Sequence, residues 1–596
     1  MLRSKKTYRI PDVLLCVFKY IPYHVVALLL FMLWTALLPA FQTLAVASFV
    51  DNVTAYLAGN LALRGVFLAL FCVLFFQFCI IILPALNRIL EETGRNKMGL
   101  KLQIELLHKR ACLEYHYVEE KESWDLVERI TKDPSSQFIS VFFNAMNLVS
   151  LSVTVFSILL IIMRTAPIAG IAIIVVAIPF CGLATRSGKE NYGLAREGQK
   201  IQRRYQYLED ILIGRDTVEE RNLFSYSNAV GKEYDRLCRK SFQIEKKIQR
   251  KSFINLKSGS VVTVILAILI IAFLFPSFYE GKLSLGLMIG LVTAIWNLVQ
   301  SMSWQLSEMM FAFAQSSEFC KELTEFMAMD EKSGACVLPA LRNQIKIDSV
   351  EFRDVSFCYP GTQNYVLHNC SFLLERGKSY AFVGENGAGK TTIVKLLLGL
   401  YEEYEGKILL NGIDVKEYPY EELKSFFAVL SQDFVRYELS IQENVFLGDV
   451  NVKDENRMYD ALIKSGLEEM ISGFPDGVST ELGHLKENGT DLSGGQWQRL
   501  AIARLLYADA QINVLDEPTS ALDPMQESKI YNLFHEVRGD CLTIYITHRL
   551  GAARIADKIF VLKDGLIKEA GVHEELVQLE NGFYREMYES QRAWYE

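Results

Sequence analysis

A chain of 596 residues is too long for one compact core, so two or more domains are expected. Its net charge of −8 and pI near 5.7 lack the basic footprint that nucleic-acid binding needs. Hydrophobic residues make up 51% of it, an average that hides a split: nearly all the long apolar runs fall within 1–310, whereas 345–596 reads as an ordinary soluble domain.

In chain order, Arg9 to Tyr20 fits a short amphipathic helix, with Lys5, Lys6 and Arg9 at its start. Six apolar stretches follow, near 23–50, 64–86, 139–163, 166–185, 258–276 and 283–304. Each is long enough to cross a bilayer, which takes about 20 helical residues. The first is not read as a cleaved signal peptide, because Pro39 through Val50 continue it without a small-residue cleavage site. Loops 87–138 and 186–257 are rich in Lys and Arg, while the hairpins at 51–63, 164–165 and 277–282 carry almost none. Positive charge marks the cytoplasmic side, so both termini and the long loops are expected there. Helical spacing and few prolines in these loops predict that spans two to five run on into the cytoplasm.

The sixth span carries Asn297, Ser301, Trp304 and Glu308 at i, i+4, i+7 and i+11, one helix face in a Leu, Val, Ile and Met background. Polar residues in a span usually face the bundle interior or a water-filled cavity, which makes the stripe a candidate substrate path. Bonding to neighbouring helices is the competing reading for Asn297 and Ser301, and a headgroup position for Glu308. The eleven cysteines are scattered, with no Cys-x-x-Cys pair, and are read as reduced and structural. At Ile345–Phe357 the pattern turns to alternating, strand-like sequence, which puts a domain boundary near 340. The expected division is a membrane domain, 1–340, and a nucleotide-binding domain, 341–596.

The second domain carries the phosphate-loop pattern Gly-x-x-x-x-Gly-Lys-[Ser/Thr] as Gly384-Glu-Asn-Gly-Ala-Gly-Lys-Thr-Thr392, between the apolar strand Ser379–Val383 and a helical run from Ile393. Gly384, Gly387 and Gly389 let the backbone curve so that its N–H groups face phosphates, with Asn386, Ala388 and Thr392 completing the loop. Lys390 is expected to reach the β- and γ-phosphates, and Thr391 to offer its hydroxyl to Mg²⁺. At Ile512–Glu517 an apolar strand delivers two adjacent acids. Asp516 is expected to hold the ion, and Glu517 to polarise the attacking water. Leu492-Ser-Gly-Gly-Gln496 opens another helical run, where Ser493, Gly494, Gly495 and Gln496 suit a phosphate at a helix start.

These three elements, with Thr547-His-Arg549 as a fourth, resemble the ordered motifs of ATP-binding cassette (ABC) ATPases. The whole chain resembles an ABC half-transporter of the exporter type. The fold implied is a membrane α-helical domain of six transmembrane helices with long cytoplasmic extensions, followed by an α/β P-loop ATPase domain with a helical subdomain. The resemblance further implies that Tyr359 stacks on adenine, although an ordinary exposed tyrosine before a turn also fits. It makes Gln432 a Mg²⁺ sensor, Asp523 the end of a loop that speaks across a dimer, and His548 a γ-phosphate contact. Glu122–Val127 and Leu208–Gly214 match coupling helices, or are plain turns between solvated helices. Each signature wraps the nucleotide of the opposite cassette, so a chain with one loop and one signature must pair. The complete motif set implies a homodimer in the plasma (cell inner) membrane, with ATP and Mg²⁺ as its cofactors.

Ahead of the signature, many drug and lipid exporters show Val-Gly-Glu-x-Gly. Here Glu481–Asp491, with Gly483 and Gly489, and the Trp497-Gln498 that follows look more like exporters of lantibiotics and other ribosomal peptides. Export of a peptide or other amphipathic substrate by alternating access is the leading expectation. A lipid or drug exporter, an importer on the same fold and a non-pumping regulator or channel are the alternatives. Residues 1–20 are too short for a leader-cleaving peptidase domain, so any leader is expected to be removed elsewhere.

Overall fold

The computed structural model describes residues 4–165, 167, 170–171, 201–202, 204–214, 217–341, 345–486, 489–518 and 540–592. The chain forms two compact units, one of Met1–Arg110 with Asp125–Met329, the other of Ala111–Trp124 with Asp330–Glu596. The break near 340 read from sequence is a single cut. Compactness instead counts a short piece of the early chain with the second unit.

The first unit is helical. Helix α1 (Ile10–Tyr20) buries Val13, Val17 and Tyr20, so protein covers its apolar stripe. Helices α2 (Pro22–Leu57) and α3 (Leu63–Cys112) precede the short α4 (Tyr115–Glu119), which belongs to the second unit, and α5 (Lys121–Thr131), where Leu126, Val127 and Ile130 are buried. Helix α6 (Pro134–Thr165) follows, then α7 (Val218–Phe224), α8 (Ser227–Tyr279) and α9 (Leu285–Ala328). Among the described residues, three helices, at Pro22–Leu57, Leu63–Cys112 and Pro134–Arg164, are long and apolar enough to cross a membrane, with mean hydropathies of 2.1, 3.0 and 2.3. Only 6% of the most apolar stretch of α3 is buried by the rest of the chain, so that surface suits hydrocarbon rather than water. The expected spans 258–276 and 283–304 lie in α8 and α9. The expected fourth, 166–185, falls almost wholly outside the described residues.

Small residues let α2 and α9 touch. A Cβ on Gly286 would run into the Ala47 carbonyl oxygen, and one on Gly290 would stand 2.7 Å from that of Thr43. Close backbone approach through small residues is how membrane helices gain packing where no hydrophobic force draws them together. At the same end Asp51 accepts from the Ser284 hydroxyl at 2.6 Å and from the Gly286 N–H at 2.8 Å. Pro39 lies inside the continuous α2, and Thr43 Oγ1 donates to the Pro39 carbonyl at 2.7 Å. Asn297 and Glu308 are exposed on α9; the side chains of Ser301 and Trp304 lie outside the description.

Among the described residues the second unit has two sheets. Strands β1 (Ser349–Cys358), β2 (Tyr365–Glu375), β4 (Glu405–Leu410) and β5 (Ile413–Asp414) form one, in the order β2-β1-β4-β5, all antiparallel. The other has the order β10-β9-β3-β8-β7-β6, with β3 (Ser379–Gly384), β6 (Phe427–Leu430), β7 (Ile512–Asp516), β8 (Leu542–Ile546) and β9 (Lys558–Lys563) parallel. Strand β10 (Leu566–Gly571) closes its edge antiparallel to β9. Every residue of β3 and β8 is buried, as continuous apolar strands covered on both faces should be. Phe352 and Phe372 from the first sheet meet Phe382 and Phe560 from the second in one core. A separate cluster of Ile441, Met458, Leu462, Trp497, Leu500 and Tyr507 holds the helical subdomain together.

One expectation is corrected. Cys112 and Cys336 are joined by a disulfide, so the cysteines are not all reduced; both lie in the second unit, and the other described cysteines are free.

Candidate functional site

The phosphate loop leaves the C-terminal end of β3 and enters helix α10 (Lys390–Leu397), with parallel strands on either side. Two of its glycines are required by the backbone. Gly384 has φ +152°, and a Cβ there would strike the Leu562 carbonyl oxygen of β9. Gly389, at φ +100°, caps α10, and a Cβ would stand 3.0 Å from the Val366 carbonyl oxygen. Lys390 is 7% exposed and folds back over the loop, donating to the Gly384 and Glu385 carbonyls at 2.8 and 2.9 Å. Burial pushes its pKa down, against the pull of Glu517 and Asp516. A buried ammonium bonded to carbonyl oxygens can exchange them for an anion.

Strand β7 ends on Asp516, 8% exposed, whose Oδ2 accepts from Thr391 Oγ1 at 3.3 Å. Burial pushes the Asp516 carboxyl up from its ordinary value, and the neighbouring Glu517 adds to this against the Thr391 bond. A hydroxyl and a desolvated carboxylate side by side are the donor set of a small hard cation such as Mg²⁺. Glu517 follows with φ +48°, a left-handed conformation that costs a non-glycine residue about 1–3 kcal/mol. Its N–H bonds to the Ile546 carbonyl at 2.9 Å, and its Oε1 lies 2.8 Å from His548 Nδ1. The two residues carry the ends of adjacent strands β7 and β8 to one point. Gln432 is exposed on the turn after β6.

Ser493 caps helix α15 (Gly494–Ala508; α11 to α14 being Tyr420–Phe426, Ile441–Phe446, Glu455–Lys464 and Glu468–Ser472). Its hydroxyl accepts from the Gln496 N–H at 3.3 Å, and Gln496 Oε1 accepts from the Ser493 N–H at 2.8 Å. This reciprocal pair fixes the entry of the helix, and Gly494 at its first turn is exposed. The preceding segment is pinned by Glu438, which accepts the N–H groups of His484 and Leu485, each at 2.9 Å. Asp491 joins it to the helix through Trp497 Nε1 at 3.3 Å.

Tyr359 is half-buried. Its hydroxyl lies 3.0 Å from Thr392 Oγ1, and it lines a cavity of ≈ 740 Å³ with Tyr117, Tyr365 and Tyr401. The structure thus gathers Lys390, Thr391, Asp516, Glu517 and His548 around the loop, and sets Tyr359 beside Thr392. Asp523 lies outside the described residues. The sequence reading missed Tyr115, Glu119, Lys395 and Tyr401, which crowd around Tyr359. No pattern marks them, because Glu119 is 276 residues from Lys395.

Comparison with known proteins accords with this geometry. Residues 367–520 match the family model described as ABC transporter. The chain is 31% identical over 498 residues to the subtilin transport ATP-binding protein SpaT of Bacillus subtilis, covering 83% of this chain and 80% of that one. It is 28% identical over 504 residues to the nisin transport ATP-binding protein NisT of Lactococcus lactis subsp. lactis, covering 83% and 82%. Its fold matches that of a bacterial Atm1-family ABC exporter with ATP bound, at a TM-score of 0.79 and 23% identity, over 96% of this chain and 98% of the other. A nucleotide-binding domain fused to membrane helices, alike along most of its length, makes the chain a member of the ABC transporters, an ATPase coupled to transport.

Proposed function

We propose that two copies of this chain form an exporter of a ribosomally made peptide in the plasma (inner) membrane, with termini and ATPase domains cytoplasmic. The observation that supports the substrate class is the pre-signature segment Glu481–Asp491 together with Trp497, within a likeness spanning four-fifths of proteins named for subtilin and nisin transport. The charge asymmetry of the loops supports the orientation. The complete motif set, Lys390, Asp516, Glu517, His548 and an intact signature in one chain, supports two equal sites related by two-fold symmetry.

In this reading the loop N–H groups from Gly384 to Thr392 cradle the phosphates at the α10 N-terminus, and Lys390 trades its two carbonyl partners for phosphate oxygens. Thr391, Asp516 and Gln432 would hold Mg²⁺, which would supply positive charge against the developing charge of the phosphates. Glu517 orients the attacking water, and His548, now paired with it, turns to the γ-phosphate. Ser493, Gly494, Gly495 and Gln496 of one copy close over the nucleotide of the other, and Asp523 ends the loop between them. Tyr359 stacks on the base. ATP closes the cassettes and favours an outward-facing state; hydrolysis resets it. The stripe Asn297, Ser301, Trp304 and Glu308 borders the substrate path.

The reading is tested by ATPase activity in nanodiscs with lantibiotic precursor peptides, lipids and hydrophobic drugs offered separately. Stimulation by peptides alone is expected. Stimulation only by lipids or drugs overturns the peptide assignment while leaving the ATPase intact.

A further inference from the structure

Around Tyr359 lies a polar network that the phosphate chemistry does not use. Helix α4 comes from the loop after α3, yet it belongs to the compact unit of the cassette. Glu119, at its end, accepts from the Lys395 ammonium and from the Tyr401 hydroxyl. Lys395 sits on α10, the helix that carries the phosphate loop, and its Nζ stands 5.5 Å from the Tyr115 ring and 5.6 Å from the Tyr359 ring. Tyr401 meets Tyr359 edge-on, with centroids 5.5 Å apart at 84°. One carboxylate therefore grips both the phosphate-loop helix and the ring that borders the proposed nucleobase platform.

An exposed ion pair would carry little weight, since surface pairs contribute about 0–1 kcal/mol. This one is only partly shielded, the side chains of Lys395 and Glu119 being 21% and 34% exposed, but the same carboxylate also takes the Tyr401 hydroxyl. Burial alone would push the Glu119 carboxyl up, but the bonds from Lys395 and Tyr401 outweigh it and hold it below the ordinary glutamate value. Burial would likewise lower Lys395, and the Glu119 bond raises it instead. Both partners are stabilised in their charged forms, with a hydroxyl and three aromatic rings fixed around them.

We propose that Glu119 is a positioning residue for the nucleotide: through Tyr401 and Lys395 it holds the Tyr359 ring and α10 in the register that receives the base. The loop after α3 thereby sets base-dependent affinity. This rests on the reading of Tyr359 as the surface that stacks on adenine. A brace that served folding alone would lower stability and leave the preference for a base untouched.

The test measures dissociation constants of Mg-ATP and Mg-tripolyphosphate, which lacks base and ribose, for the full-length protein in nanodiscs. Glu119→Gln is expected to weaken ATP about five-fold, as for one charge-assisted bond, and tripolyphosphate less than about two-fold. Tyr401→Phe, which keeps the ring, should move ATP in the same direction by a smaller factor, and serves where Glu119→Gln does not fold. Exchanging the charges, Glu119→Lys with Lys395→Glu, should recover part of the loss. Equal weakening of both ligands, or of neither, overturns the inference. Tyr359→Ala separates the two ideas. If it abolishes the preference for ATP over tripolyphosphate while Glu119→Gln keeps it, only the Glu119 inference fails. If Tyr359→Ala keeps that preference, the nucleobase reading falls and the inference falls with it.

Discussion

The phosphate loop and the contact between α2 and α9 both depend on glycine, and they use it for different ends. At Gly384 and Gly389 the backbone takes positive φ so that a helix N-terminus is presented to a ligand. At Gly286 and Gly290 the lack of a side chain lets one helix touch another's carbonyl oxygens, with no ligand involved. The first use fixes neighbouring residues by chemistry, because a phosphate needs N–H groups, a lysine and a hydroxyl at set distances. The second needs only smallness, which many sequences supply. A ligand site therefore writes a motif, and a packing site does not.

That contrast is sharpened most by removing Lys390. Lys390→Ala should weaken ATP binding about 30- to 100-fold, the scale of losing a charge-assisted contact to phosphate, while the thermal midpoint stays near that of the wild type. Calorimetric titration and a melting scan report the two numbers. Gly286→Val should do the reverse. Overpacking costs about 1–3 kcal/mol, so the membrane half should melt several degrees earlier and transport should fall, while ATP affinity stays within about two-fold. Equal effects of both variants on ATP affinity would break the distinction.

The same contrast explains what was legible beforehand. The loop, the acid pair Asp516-Glu517 and Ser493 stand in the sequence as strings whose chemistry dictates their spacing, whereas His548 was reached only through the family resemblance. The apolar runs at α2, α3 and α6 were readable because a bilayer demands length and hydropathy. The bond of Asp51 to Ser284 and Gly286 was not, since its partners are 233 or more residues apart and nothing periodic links them. Glu119 was hidden for the same reason, since its partner Lys395 is 276 residues away. The left-handed backbone of Glu517 was equally invisible, because the residue type gives no hint of it.

Smaller effects should follow Asp51→Asn and a change of pH. Asp51→Asn keeps one acceptor and loses the charge, so the contact between the C-terminal end of α2 and the N-terminal end of α9 should lose about 1 kcal/mol, readable as a lower midpoint in detergent. His573 is buried and bonded at 2.8 Å to the Tyr584 hydroxyl, and burial pushes its pKa below the usual 6.5. The unfolded chain then takes up the proton more readily than the folded one, so this contribution is full above pH 6.5 and is lost as the pH falls below it. Melting of the protein followed between pH 7.5 and 5.5, roughly the window of a histidine, should show a slope that His573→Gln flattens.

The central claim, that two copies of this chain sandwich ATP and hydrolyse it through Glu517, is tested most directly by nucleotide trapping in Glu517→Gln. Turnover should fall by about three orders of magnitude while ATP affinity stays within about three-fold. The purified variant should hold an intact ATP in each of its two equivalent sites within a closed homodimer. Hydrolysis near the wild-type rate, or purification only with a different half-transporter, would contradict the account.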